Sequence, residues 1–74
     1  MRRSELAALA DHVFGPALAS AHLAEIVLVD LDGRTGAEAL AQGVPPKRVW
    51  TALCDEMEVP ESRRWEIPPE ARRR

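Results

Sequence analysis

The sequence predicts a small all-α domain, and three observations lead there. Apolar residues recur at helical spacing in residues 6–14 and again in residues 49–57. Glycine and proline punctuate the chain between helix-length segments, at Gly15-Pro16, Gly33, Gly43 and Pro45-Pro46. Between the first two of these lies ALASAHLAEIVLVDL, residues 17–31, whose large apolar side chains point all the way round a helical wheel. Only Ser20, His22, Glu25 and Asp30 interrupt it. A helix that is apolar on every side is a buried one. Residues 17–31 are therefore expected to form the central helix, with the other segments wrapped around it.

The first helix opens near Ser4, a good N-cap, with Glu5 placed at the positive end of the helix dipole. Leu6, Leu9, Ala10, Val13 and Phe14 form its inner face. Gly15-Pro16 ends it, glycine taking a left-handed C′ position and proline starting the next helix at N1. The run Ile26, Val27, Leu28, Val29 would also serve as a buried strand, and periodicity does not separate the two. Helix is preferred because residues 17–25 are strongly helix-forming, no breaker precedes Gly33, and a lone strand would lack a partner.

Thr35 and Glu38 then form a T-x-x-E capping box that opens a short third helix, closed by Gly43, with Val44 packing back over its last turn. Pro45-Pro46 opens a fourth helix whose apolar face is Val49, Trp50, Leu53, Cys54 and Met57. Acids at its C-terminal end oppose the dipole, so fraying is expected near Glu58. Val59-Pro60 ends it, residues 61–64 add one more turn, and Trp65 either folds back onto the core or stays exposed as a contact residue. Residues 1–67 make one helical domain, and residues 68–74 read as a disordered basic tail.

Composition narrows the function classes. With 74 residues, the chain has room for a single core and buries only about 60% of its unfolded surface. Hydrophobic residues at 46% and charged residues at 30% fit a folded soluble protein. A net charge of −2 gives no general attraction to nucleic acid. Cys54 is alone, so no internal disulfide forms, which suits a reducing cytosol. No signal-peptide pattern precedes Asp11, and no apolar run approaches the roughly 20 residues that span a bilayer. A cytoplasmic location without a membrane partner is expected.

Three constellations carry candidate chemistry. I-V-L-V-D-L-D-G, residues 26–33, looks like the nucleophile motif of haloacid-dehalogenase-type phosphatases, which implies Asp30 as nucleophile and Asp32 as proton donor beside magnesium. That fold needs a parallel sheet with crossover connections, and only about forty residues follow Gly33. The same stretch fails as a calcium loop, since position twelve from Asp30 is Ala41. His12, His22 and Cys54 lack metal-ligand spacing, and Cys54 on an apolar face reads as a core filler. No catalytic residue, metal or cofactor is assigned.

The second constellation is residues 38–53, which resemble a helix-turn-helix. The small Ala39 allows close approach, Gly43 makes the turn, and Lys47, Arg48 and Thr51 face outward on the second helix. Asp55, Glu56 and Glu58 would then face phosphates, and a proline pair occupies the start of the reading helix. The third constellation is Arg63, Arg64 and Trp65, residue types enriched in interface hot spots.

Several blocks together carry a wider resemblance: Phe14-Gly15-Pro16-Ala17, Gly33-Arg34-Thr35, Glu38-Ala39-Leu40, Gly43-Val44, Val49-Trp50, Ala52-Leu53-Cys54, and Val59-Pro60 followed by Arg63-Arg64. In these the chain resembles a family of small actinobacterial proteins, the domain-of-unknown-function family numbered three thousand and forty-six. The resemblance runs over residues 1–65 and implies no activity and no catalytic residues. Two departures stand out. Leu6 and Ala7 occupy positions where the family has an aromatic pair, and Pro45 stands where it often has an aspartate cap. The second change costs about 1 kcal/mol of helix capping, offset in part by the rigid proline.

The function expected from the sequence is a non-enzymatic protein-interaction module. Its candidate partner surface is Lys47, Arg48, Thr51, Arg63, Arg64 and Trp65. The alternative is a helix-turn-helix-like DNA-binding protein reading through residues 47–54.

Overall fold

The computed structural model describes residues 1–65. Its elements in order are α1 (Arg3–Phe14), α2 (Pro16–Glu25), β1 (Val27–Leu28), a 3-10 turn (Val29–Leu31), β2 (Arg34–Thr35), α3 (Gly36–Ala41), α4 (Pro46–Glu56) and α5 (Glu61–Arg64). The domain is mainly helical, as expected, with one very small antiparallel ladder added. The expected tail at residues 68–74, and the domain end at residue 67, lie outside the described residues.

The expected central helix is corrected. Helix α2 stops at Glu25, and the β-branched run that follows turns extended. It does so because a partner exists after all. Asp32 and Gly33 both adopt positive φ and return the chain, so that Val27 pairs with Thr35 and Leu28 with Arg34. The turn is closed by the Gly33 N–H donating to the Leu28 carbonyl at 3.1 Å. Two-residue strands are stable here only because α3 and α4 pack against them. The consequence for burial is large. Leu18 is 56% exposed, Val27 54% and Val29 79%. Only Ala19 of α2 is fully inside, with Leu23 packed at the margin.

The buried centre is α4 instead. Val49, Trp50, Ala52, Leu53 and Cys54 are all buried. Around them sit Leu6, Leu9 and Ala10 of α1, Leu28 and Leu31 of the hairpin, Ala39 of α3, and Val59. Met57, expected on the inner face, lies just past the helix end and is exposed. Trp50 is the largest fully buried side chain; Phe14 meets its ring edge-on at 5.9 Å, and His22 meets Phe14 at 4.9 Å. Such edge-to-face pairs add about 0.5–1.5 kcal/mol each beyond area burial.

Helix ends follow local chemistry. Helix α1 starts two residues earlier than an N-cap at Ser4 implies, because the Glu5 carboxylate accepts the Arg2 backbone N–H at 2.7 Å and makes Arg2 the N-cap. It ends at Gly15 with φ +89 and ψ 145, positive but extended rather than left-handed helical. The Thr35–Glu38 capping box forms in full, at 3.1 and 2.9 Å. Two helices then end in the same Schellman motif. In α3 the Val44 N–H reaches the Ala39 carbonyl and the Gly43 N–H the Leu40 carbonyl, with Gly43 at φ +95. In α4 the Val59 N–H reaches the Cys54 carbonyl and the Glu58 N–H the Asp55 carbonyl, with Glu58 at φ +57. The expected fraying near Glu58 is thus replaced by a defined stop, held by burial of Val59.

Gly36 lets α3 pack close against α2 and α4. A Cβ there would lie 2.9 Å from Leu23 Cδ2 and 3.2 Å from Val49 Cγ1. Arg3 adds a long-range tie, its Nη2 donating to the Leu40 carbonyl at 2.7 Å.

Candidate interaction surface

Helix α4 places the candidate residues in two separate groups. Its inner face is consumed by the core, so the side chains at i, i+1 and i+4 from Lys47 face out: Lys47, Arg48 and Thr51 are exposed. They line a shallow concavity together with Pro45, Ala52 and, from the 3-10 turn, Asp30 and Leu31. Arg48 Nη2 donates to the Asp30 carbonyl at 3.3 Å, which ties the turn to the helix. The concavity exists because the hairpin, rather than a continuing helix, carries residues 29–31 past the start of α4.

The second group sits at the other end of α4, about 10 Å further along the helix axis from Arg48 to Asp55. Arg64 works inside the fold. Its Nε donates to the Val59 carbonyl at 2.8 Å and its Nη1 to Asp55 Oδ1 at 2.7 Å. Its own carbonyl accepts the Trp50 indole N–H at 2.9 Å. The Asp55 hydrogen bond pushes the guanidinium pKa further above its ordinary value. Arg64 therefore fastens α5 over the end of α4 and satisfies the only polar atom of a buried tryptophan. Arg63 is exposed, and Trp65 is 39% exposed with its indole N–H donating to Glu61 Oε2 at 3.4 Å.

Other candidate chemistry is dispersed. Asp30 and Asp32 are exposed on the turn between antiparallel strands, a setting unlike the end of a parallel sheet. Among the described residues, no three His, Cys, Asp or Glu side chains converge so as to hold a metal ion. Cys54 is buried against the core, and desolvation pushes its thiol up to about 11, partly countered by Arg64. No helix among the described residues is long and apolar enough to cross a membrane.

Val27 and Val29 are what sequence reasoning missed. Their exposure alternates with the burial of Leu28, a period of two. That signal was hidden because all three residues are apolar, so the alternation is of environment and not of residue type.

A family model described as protein of unknown function (DUF3046) matches residues 1–62. The chain belongs to this family. The match spans every element from α1 to α4. No curated protein and no solved structure matches the chain significantly.

Proposed function

We propose that this family member is a non-enzymatic protein-interaction module of the cytosol, working through the face formed by the 3-10 turn and the first half of α4. The observation that carries this is the exposure of Val27 and Val29, at 54% and 79%, on the segment that leads into Asp30 and Leu31, which line the concavity with Lys47, Arg48 and Thr51. Apolar side chains exposed together and rimmed by polar groups mark contact surfaces. Trp65 and Arg63, at the far end of α4, offer a second contact patch of hot-spot residue types. The non-enzymatic character is supported by the exposed, unclustered Asp30 and Asp32 and by the buried, proton-retaining Cys54.

The test is co-purification from native cells with the wild-type chain, Val29→Asp and Trp65→Ala as baits. A stoichiometric partner held by the wild type and lost with Val29→Asp supports this face. Equal capture by all three counts against both patches.

A DNA-binding reading has one observation in its favour: Lys47, Arg48 and Thr51 are exposed on α4 directly after the Gly43 turn. Asp30 beside them and Asp55, Glu56 and Glu58 further along weigh against a phosphate backbone. Fluorescence anisotropy of labelled duplex DNA at two salt concentrations separates the two. Counterion release makes DNA binding fall steeply with salt, whereas an apolar-centred protein contact changes little.

A further inference from the structure

We infer that the concavity between α4 and the 3-10 turn receives an acidic peptide segment of the partner, seating a carboxylate against Lys47 and Arg48 and an apolar side chain on Pro45. This deepens the proposed function and rests on it. Three features of the concavity point to that occupant.

The first is unspent donor capacity. Lys47 makes no hydrogen bond or ion pair among the described residues, and the Thr51 hydroxyl likewise has no partner. Arg48 uses one guanidinium nitrogen on the Asp30 carbonyl, which orients the group and leaves further N–H donors for a bidentate carboxylate contact. The second is the wall. Pro45 is exposed and lines the concavity as a rigid apolar surface, while Leu31 and Ala52 behind it are buried in the core. The third is charge. The lining sums to two cations against the single carboxylate of Asp30, whereas the far end of α4 is acidic and its Asp55 is already bonded to Arg64.

Asp30 also decides between classes of anionic partner. A nucleic acid brings closely spaced phosphates that cannot avoid its carboxylate. A peptide brings isolated carboxylates that can be set toward Lys47 and away from Asp30, so Asp30 acts as a selectivity element.

The test uses two synthetic ten-residue peptides, one alternating glutamate with leucine and the other alternating glutamine with leucine, titrated into isotope-labelled protein. The expected result is amide shifts confined to residues 29–31 and 47–52, with about tenfold tighter binding of the glutamate peptide. Lys47→Glu removes that preference, and Thr51→Trp, which fills the concavity without altering charge, weakens both peptides. Thermal melts of both variants verify folding. Equal affinity for the two peptides, shifts elsewhere, or stronger shifts of the same amides with duplex DNA overturn the inference. Its failure is distinct from failure of the interaction module. A native partner lost with Val29→Asp but kept by Lys47→Glu leaves the module and removes the acidic-peptide site.

Discussion

The two Schellman motifs make a matched pair, and their difference yields a sharp stability prediction. Gly43 ends α3 and Glu58 ends α4 with the same hydrogen bonds, yet only the first is glycine. A residue with a Cβ in the left-handed region costs roughly 1–2 kcal/mol. Glycine recovers that cost but adds about 0.4–1 kcal/mol of unfolded-state entropy. The Glu58 carboxylate also sits at the negative end of the α4 dipole, and its removal is worth about 0.3 kcal/mol. Glu58→Gly is therefore expected to stabilise the domain by about 1 kcal/mol, which raises Tm by roughly 4–8 °C for a chain of this size.

Two controls isolate the cause, all read by circular-dichroism melts and urea titration at one pH. Glu58→Ala removes the charge and keeps the backbone strain, so it gains only about 0.3 kcal/mol. Gly43→Ala is the mirror case. A Cβ there meets nothing within 4 Å, so its loss of about 1 kcal/mol is purely conformational. Equal gains from Glu58→Gly and Glu58→Ala, or a neutral Gly43→Ala, would refute the backbone explanation.

Four further outcomes are expected. Trp50→Phe leaves the Arg64 carbonyl without its indole donor and opens space in the core, lowering stability by about 2 kcal/mol in urea titration. Gly36→Val drives a branched side chain into Leu23 and Val49 and costs about 1–3 kcal/mol or more by the same assay, despite valine's better helix propensity. The Cys54 thiol holds its proton longer in the folded state than in the unfolded one. Stability is then full below about pH 9, falls as pH rises toward about 11, and the slope flattens in Cys54→Ala; native-state labelling by a thiol reagent at pH 8 is correspondingly slow. Val29→Ser changes stability by less than about 0.5 kcal/mol, the mark of an exposed site, whereas a core position would lose far more.

Much of the fold was legible because local rules and tertiary packing agreed. Thr35 with Glu38 announced α3, Pro45-Pro46 announced α4, and Gly43-Val44 announced the turn between them. The periodicity of Val49, Trp50, Leu53 and Cys54 correctly marked an inner face, although it did not reveal that this face is the centre of the molecule. The candidate surface was half legible. Lys47, Arg48 and Thr51 face outward as their spacing demands, but Arg64 lies one residue from Trp65 in sequence and is drawn inward by Asp55, Val59 and Trp50.

What the sequence determined by itself is therefore the Gly15-Pro16 junction, the Thr35 start and Gly43 stop of α3, and the Pro45-Pro46 start of α4, because those depend on contacts within a few residues. Tertiary structure alone decided the fate of residues 26–31. An all-apolar run satisfies a buried helix and a half-exposed strand equally well, and the choice depends on whether a partner strand arrives. Here Asp32 and Gly33 bring Arg34 and Thr35 back, α4 takes the central place, and Val27 and Val29 are left on the surface.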